Sequence, residues 1–145
     1  MTNEIDLLRL ENQLCFLLYA SSREMTKKYK SLLEELDVTY PQYLVLLLLW
    51  EHKVLSVKSM GEQLYLDSGT LTPMLKRMEQ NGLINRERSQ EDERSVMVSL
   101  TEQGSKLKEK AACIPLEIVK LANKEPEEFK QLKNSLAQLL QQLAK

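Results

Sequence analysis

Apolar positions near the start of the chain follow a helical period. Between residue 5 and about residue 30 they recur every three or four positions and form one wide helix face, made of Leu7, Leu8, Leu10, Leu14, Cys15, Leu17 and Leu18. This spacing predicts one continuous amphipathic helix. So wide an apolar face needs a partner, which is either the domain's own core or a second subunit.

A second and a third helix are predicted after Pro41, which favours a helix start. Residues 42 to 52 are apolar enough to require burial. Ser56 is suited to cap the third helix, which runs through Met60 and Leu64.

A fourth helix is predicted after a tight turn near residues 66 and 67. Its apolar positions share one face, which comprises Leu71, Met74, Leu75 and Met78. Gly82 is expected to end this helix. Pro73 fits it only if the helix starts near residues 68 to 70, because proline lacks the backbone N–H.

The apolar period then shortens to two. Residues 83 to 89 and 95 to 100 predict two strands joined by the charged tip QEDE. Two more helices are predicted, one from Thr101, a suitable N-cap, to about residue 121, and one over residues 125 to 143.

This order of elements predicts a mainly α fold with a small β-hairpin wing. A tight helix–turn–helix followed by a charged hairpin is typical of a winged helix-turn-helix DNA-binding domain, here about residues 42 to 100. Helices over about residues 5 to 30 and 101 to 145 flank it. The chain, residues 1 to 145, is expected to be a single domain.

Composition limits the candidate chemistry. The longest uncharged apolar run, residues 43 to 50, is far shorter than the roughly 20 residues that span a bilayer. No signal peptide is visible, so a cytoplasmic protein without membrane contact is expected. Cys15 and Cys113 lie far apart and His52 is the only histidine, which argues against a disulfide framework or a zinc site. We expect no metal and no cofactor.

The start of the fourth helix, DSGTLTPMLKR, carries candidate DNA contacts. The N-terminal residues of the second helix of a helix-turn-helix face base edges in the major groove. The side chains suited to phosphates or bases are Ser68, Thr70, Thr72, Lys76 and Arg77. An equally open structural interpretation is that Asp67 and Ser68 only cap the helix and the basic pair is a solvated face.

Charge does not decide between these interpretations. The net charge is −1, and the segment from residue 67 to residue 94 has slightly more acidic than basic side chains. It forms a basic surface only if the acidic side chains point away from the phosphates. Arg94, just past the hairpin tip, is placed to enter a narrow minor groove, where the negative potential is enhanced.

A longer stretch resembles a known family. Residues 64 to 104, LYLDSGTLTPMLKRMEQNGLINRERSQEDERSVMVSLTEQG, resemble the MarR family of bacterial transcription regulators, whose most specific signature is the DER wing followed by VSLTEQG. The likeness extends over nearly the whole chain. ENQLCFLLYASSREMTKKY and VTYPQYLVLLLLWE are similar to one branch, the organic hydroperoxide resistance regulators.

This resemblance implies a homodimer whose terminal helices interlock and which presents two winged helices to a pseudopalindromic operator in double-stranded DNA. The helix from about residue 68 is then expected in the major groove and Arg94 in the minor groove. The DNA-contacting residues are interpreted as Ser68, Thr70, Thr72, Lys76, Arg77, Arg86, Asp92 and Arg94.

The resemblance also implies a peroxide-sensing repressor rather than an enzyme. Its reduced dimer binds the operator and is released when organic hydroperoxide oxidises Cys15, a thiol hydrogen-bonded by Tyr29 and Tyr40, with Tyr19 nearby. Cys113, expected mid-helix, is interpreted as a small buried or interface residue. The alternatives are that Cys113 resolves the oxidised thiol, or that a low-molecular-weight thiol does so.

On the residues alone, Cys15 has two interpretations. A lone cysteine among leucines is usually a small hydrophobe in a core, whereas a reactive cysteine needs a stabilised thiolate. No cation lies within one turn, and Glu11 at i−4 would oppose a thiolate on a continuous helix. Tyr19 at i+4 is a surface neighbour. Tyr29 lies about 21 Å away along a straight helix, so it reaches Cys15 only from a second subunit or after a sharp bend.

Other functions stay open from the sequence. A MarR-type regulator that responds to a phenolic or other small aromatic ligand would leave Cys15 incidental, and a broader redox-responsive global regulator would use the same cysteine. A thiol peroxidase would lack a second nearby thiol and an arginine beside Cys15. A purely structural dimerisation module would leave Arg94 unexplained.

Overall fold

The computed structural model describes residues 4 to 145, with side chains from Asp6 onward. Its helices are α1 Glu4–Leu7, α2 Leu14–Leu33, α3 Tyr40–His52, α4 Val57–Leu64, α5 Ser68–Gln80, α6 Glu102–Ala111, α7 Ile114–Ala122 and α8 Pro126–Leu143. The strands β1 Val54–Ser56, β2 Ile84–Arg88 and β3 Val96–Leu100 form an antiparallel sheet in the order β1-β3-β2. The predicted mainly α winged fold is confirmed.

The predicted first helix is interrupted, so the expectation of one continuous helix was wrong. Arg9 and Gln13 have extended backbones on either side of a 3₁₀ turn over Leu10–Asn12. The Asn12 amide donates to the carbonyl of Asp6 at 2.6 Å, and the Gln13 amide donates to the carbonyl of Arg9 at 3.0 Å. These side-chain bonds compete with the helical ladder although the leucine spacing favours a helix. Cys15 therefore lies in the first turn of α2.

The core surrounds α3, which begins where Pro41 predicted. Thr39 and Gln42 form a reciprocal capping box, in which each side chain bonds the other residue's backbone N–H. One cluster of buried side chains joins α3, α4, α5, the loop after α5, and the sheet, and it comprises Val45, Leu46, Leu49, Met60, Leu71, Leu75, Met78, Leu83, Ile84 and Val98. Burial of each large apolar side chain contributes about 1.5–3 kcal/mol.

The helix-turn-helix is made of α4 and α5. Ser56 caps α4 as predicted, since its hydroxyl accepts from the Ser59 N–H at 3.0 Å. α5 starts at residue 68, within the range that Pro73 required, and the proline ring lies in its second turn. Gly82, with φ of +79°, and the bond from Leu83 N to the Met78 carbonyl at 3.0 Å close α5 in a Schellman turn.

The segment after β3 contains a second break that the sequence prediction missed. Thr101 caps α6 as predicted, because its Oγ1 accepts from Gly104 N at 3.0 Å. α6 ends at Ala111, and Cys113 is the N-cap of α7 rather than a mid-helix residue. Pro115 explains the break, because its ring is accepted in the first turn of a helix and not in the interior.

The chain forms two compact units, one ending at Ala111 and one over Ala112–Lys145. The prediction of a single domain over residues 1 to 145 stays a prediction. In the described part of the chain, no helix is long and apolar enough to cross a membrane. The same residues contain no group of histidine, cysteine and acidic side chains that could hold a metal ion.

Candidate functional site

The exposed face of α5 carries most of the predicted DNA contacts. Leu71, Leu75 and Met78 are fully buried and fix the opposite face against the core. The outward side chains are Ser68, Thr70, Lys76 and Arg77, with Thr72 partly exposed. Asp67 Oδ1 accepts from Thr70 N at 2.7 Å, so the N-terminus of α5 is firmly capped. We call α5 the recognition helix.

The wing consists of β2, β3 and the loop between them. Its loop is closed by the bond from Ser89 N to the Ser95 carbonyl at 2.8 Å. Asp92 Oδ1 accepts from Arg94 N at 3.0 Å, so Asp92 shapes the loop from within. Arg88 Nη1 donates to a loop carbonyl at 2.8 Å. The Arg94 side chain is exposed beside this ordered turn.

Arg86 has a different environment from the other predicted contacts. Its Nε and Nη2 donate to Glu79 Oε1 at 3.3 and 3.1 Å, and its backbone N–H donates to Glu79 Oε2 at 3.1 Å. Glu79 lies on the recognition helix and Arg86 on β2, so the pair joins the helix to the wing. Only 22% of the Arg86 side chain is exposed.

These bonds account for three of the six acidic side chains between residues 67 and 94, and the other three are exposed, so a basic DNA-facing surface stays a prediction. Asp67, Glu79 and Asp92 are acidic, and each accepts an internal hydrogen bond. Their carboxylates therefore serve the structure of the helix and the wing. The outward cations include Lys76, Arg77 and Arg94.

A cleft of about 870 Å³ lies between the helix-turn-helix and the wing. The structure brings four of the predicted contacts to its walls, namely Ser68, Thr72, Arg86 and Arg94. The other four lie outside that lining, namely Thr70, Lys76, Arg77 and Asp92.

Cys15 is exposed, so it does not pack into the core of its own chain. Tyr19, one turn later, is also exposed, and its hydroxyl accepts a hydrogen bond from Arg23 Nη1 at 3.0 Å. The Arg23 guanidinium lies 5.5 Å from the Tyr19 ring centre. The break before residue 14 removes Glu11 from the helical i−4 position that the sequence suggested.

Three tyrosines pack together where α2 meets α3. The ring centres of Tyr29 and Tyr40 are 4.6 Å apart, and Tyr43 lies 5.8 Å from the first and 6.3 Å from the second. We call Tyr29, Tyr40 and Tyr43 the tyrosine cluster. Burial, and then the neighbouring tyrosines, raise the pKa of Tyr29 to about 12. Burial also raises the pKa of Tyr40 and of Tyr43. The hydroxyls therefore stay protonated and able to donate.

The thiol and the tyrosine cluster lie far apart within one chain. α2 runs without interruption from Leu14 to Leu33, so the 14 residues between Cys15 and Tyr29 cover about 21 Å. Because α2 has no break between Cys15 and Tyr29, the alternative of a sharp bend is removed. Tyr29 and Tyr40 form one pair, and Cys15 with Tyr19 forms a separate group.

Sequence reasoning missed three residues that organise these groups. Arg23 was not among the predicted site residues, yet it donates a hydrogen bond to Tyr19, which is one turn from Cys15. Glu79 holds Arg86, and Trp50 donates a hydrogen bond to the carbonyl of Gly104. Only the i, i+4 spacing of Tyr19 and Arg23 was visible in the sequence. Cys113 is exposed in the second unit, so it is not buried within its own chain, and its interpretation as an interface residue stays a prediction.

Comparison with known proteins places these features in a family. The family model "Transcriptional regulator SarA/Rot" matches residues 27 to 111. The organic hydroperoxide resistance transcriptional regulator of Bacillus subtilis is 68% identical over 143 residues, which cover 99% of this chain and 97% of that protein. These relatives are transcriptional regulators and not enzymes, so the thiol peroxidase alternative is set aside.

Solved structures agree with the sequence comparison. Reduced AbfR bound to DNA is 39% identical, with a TM-score of 0.79 over 99% of this chain and 100% of that chain. Disulfide-formed AbfR is 40% identical, with a TM-score of 0.64 over 94% and 96% of the two chains. AbfR is a protein of Staphylococcus epidermidis. The chain therefore belongs to the MarR-type winged-helix transcriptional regulators, in the branch of the organic hydroperoxide resistance regulators.

Proposed function

We propose that the protein is a homodimeric, cytoplasmic repressor that binds operator DNA when reduced and releases it when organic hydroperoxide oxidises Cys15. One observation carries the proposal. An exposed thiol lies about 21 Å along α2 from a pair of protonated tyrosines, so only a second copy brings them together. The relatives support it, since one is named for organic hydroperoxide resistance and another was solved in reduced, DNA-bound form.

Exposed apolar surface supports the dimer. Before and within α2, six large apolar side chains are exposed, namely Leu7, Leu8, Leu10, Leu14, Phe16 and Leu17. In α8, an apolar stripe at helical spacing is exposed, made of Leu132, Leu136, Leu140 and Leu143. Surfaces of this kind mark protein interfaces rather than the solvated surface of a monomer.

DNA binding uses the recognition helix and the wing. The recognition helix places its hydroxyls and Lys76 toward the major groove, and Arg94 enters the flanking minor groove. Arg86, held by Glu79, keeps these two elements at a fixed separation. The twofold symmetry of the dimer places a second recognition helix and wing at a second half-site, so the operator is a pseudopalindrome.

Sensing is a two-electron oxidation of the thiol. The Cys15 thiolate attacks one peroxide oxygen, the O–O bond breaks, and the departing alkoxide takes up a proton. The products are a cysteine sulfenic acid and an alcohol. Hydroxyls of Tyr29 and Tyr40 from the other subunit donate to the thiolate. The added oxygen displaces these donors, and the close-packed interface shifts.

The fate of the Cys15 sulfenic acid depends on which thiol reacts with it. Cys113 is exposed at the start of α7, and a low-molecular-weight thiol is the other candidate. A mixed disulfide with the small thiol and a Cys15–Cys113 bridge differ in mass, so mass spectrometry of the intact oxidised protein decides between them.

Release of operator DNA by Cys15→Ser under organic hydroperoxide is the decisive experiment. The variant is expected to bind the operator like the unaltered protein and to stay bound in hydroperoxide. Cys113→Ser is the matched control, and it is expected to release normally. Dissociation of Cys15→Ser from the operator in hydroperoxide would refute the proposal. Dissociation of the unaltered protein when only a phenolic ligand is added would support the small-ligand alternative.

A further inference from the structure

We infer that Trp50 is a positioning residue that links the tyrosine cluster to the closing turn of the recognition helix. The inference rests on the proposed function, because it concerns how a change at the tyrosine cluster reaches the DNA-reading face. Every residue in the link belongs to the unit that ends at Ala111.

The first step of the link runs along α3. Tyr40, Tyr43 and Trp50 follow at i, i+3 and i+10, which is one face of the helix. The Tyr43 and Trp50 ring centres are 6.4 Å apart with an interplanar angle of 71°. This edge-to-face contact is a favoured aromatic geometry. Tyr43 is only 3% exposed and Trp50 is partly buried against the core, so the contact is largely shielded from solvent.

The second step is a hydrogen bond between distant parts of the chain. Trp50 Nε1 donates to the carbonyl of Gly104 at 3.0 Å. Gly104 is buried in the first turn of α6, and a Cβ there would collide with the carbonyl oxygen of Leu83. The first turn of α6 therefore lies close against the end of the recognition helix, and the hydrogen bond from Trp50 also holds this turn.

The third step reaches the recognition helix itself. Thr101 Oγ1 donates to the carbonyl of Gly82 at 2.6 Å and accepts from Gly104 N at 3.0 Å. Thr101 N donates to the carbonyl of Leu83 at 3.1 Å. Gly82 and Leu83 form the Schellman turn that ends the recognition helix. The same threonine thus joins the Trp50 acceptor to that turn.

A displacement of the tyrosine cluster is transmitted because each contact in this link is tight. Close-packed interiors pass on small shifts rather than absorb them. Trp50→Phe keeps an aromatic ring against Tyr43 but deletes the donor to Gly104. It therefore uncouples the cluster from the recognition helix without removing either one.

Fluorescence tests the inference directly, because Trp50 is the only tryptophan in the chain. Oxidation of the unaltered dimer by one equivalent of organic hydroperoxide is expected to shift the tryptophan emission, and the same treatment of Cys15→Ser is expected to leave it unchanged. An emission spectrum that does not change when the unaltered protein releases DNA would overturn the inference.

The second test measures operator binding by Trp50→Phe. The control is Tyr43→Phe, which loses a hydroxyl but keeps the aromatic ring that contacts Trp50. Reduced Trp50→Phe is expected to bind within about twofold of the unaltered protein. Its oxidation-induced loss of affinity is expected to be at least about fivefold smaller, the size of one net hydrogen bond.

The outcomes separate the two proposals. If oxidised Trp50→Phe releases operator DNA to the same extent as the unaltered protein, with equal Cys15 oxidation by mass spectrometry, only the role of Trp50 is refuted. If Cys15→Ser releases operator DNA in hydroperoxide, the proposed function is refuted. If Trp50→Phe does not fold, the fluorescence of the unaltered protein decides.

Discussion

Replacing Glu79 with alanine is expected to loosen the joint between the recognition helix and the wing. The carboxylate accepts three hydrogen bonds, two from the Arg86 guanidinium and one from the Arg86 backbone N–H. The side chains are 22% exposed for Arg86 and 38% exposed for Glu79. Removal of Glu79 therefore leaves a half-buried guanidinium and a strand N–H without their acceptor.

The loss of stability in Glu79→Ala lies between two limits. A hydrogen bond to a charged group contributes about 1.5–3 kcal/mol when buried, and an exposed ion pair contributes about 0–1 kcal/mol. For this half-buried pair we expect a loss of about 2 kcal/mol in the free energy of unfolding, which lowers Tm by about 6 °C at fixed dimer concentration. Glu87→Ala, an exposed change on the same strand, is expected to cost below about 0.5 kcal/mol.

Operator titrations over a range of salt concentrations complete the test. If Arg86 acts through Glu79, then Glu79→Ala and Arg86→Ala weaken binding to a similar degree, and the double variant is no worse than either. If Arg86 instead contacts a phosphate, Arg86→Ala alone lowers the salt slope by about 1. Equal thermal stability of Glu79→Ala and Glu87→Ala would refute the reasoning about the joint.

The remaining predictions concern DNA contacts, tyrosines and thiols. Arg94→Ala is expected to weaken binding chiefly at A·T-rich outer positions of the operator, whereas Lys76→Ala weakens it uniformly across sequences; unchanged affinity of Arg94→Ala in a binding titration would exclude the wing contact. Tyr29→Phe and Tyr40→Phe are expected to bind operator normally but to slow Cys15 oxidation, measured by mass spectrometry of acid-quenched samples. An unchanged oxidation rate in both variants would exclude the two tyrosines as donors to the thiolate. The raised pKa of Tyr29, about 12 against 10, stabilises the fold below pH 10, and this contribution is lost as pH rises from 10 to 12. Alkaline unfolding curves of Tyr29→Phe should therefore fall less steeply in that window than those of the unaltered protein. Cys113→Ser is expected to keep reversible oxidation, and accumulation of Cys15 sulfinic acid in this variant would instead identify a resolving thiol.

Local signals in the sequence predicted most element boundaries. Ser56, Thr101 and Gly82 each act within a few residues of a helix end, and each was found where its chemistry predicted. The break before Cys15 was missed because the side-chain amides of Asn12 and Gln13 donate hydrogen bonds to backbone carbonyls and so compete with the helix. The spacing of the leucines carries no information about these hydrogen bonds.

Other features depend on parts of the chain that are distant in sequence. The three residues of β1 carry too little pattern to predict a strand, and they become one by pairing with β3. Likewise, Arg86 and Asp92 were named as DNA contacts from the resemblance to the MarR family. Their internal partners, Glu79 and the backbone N–H of Arg94, become visible only in the folded chain.

The distance between Cys15 and Tyr29 along α2 has a consequence for mixed dimers. A chain with Cys15→Ser has lost its thiol but keeps its tyrosines, and a chain with Tyr29→Phe keeps its thiol but has lost a donor. In a mixed dimer of these two chains, the remaining thiol is expected to meet the intact tyrosine of its partner, which would restore one complete sensor. The thiol of a purified mixed dimer is then expected to be oxidised faster than the thiols of a dimer of two Tyr29→Phe chains, which tyrosines acting within their own chain would not allow.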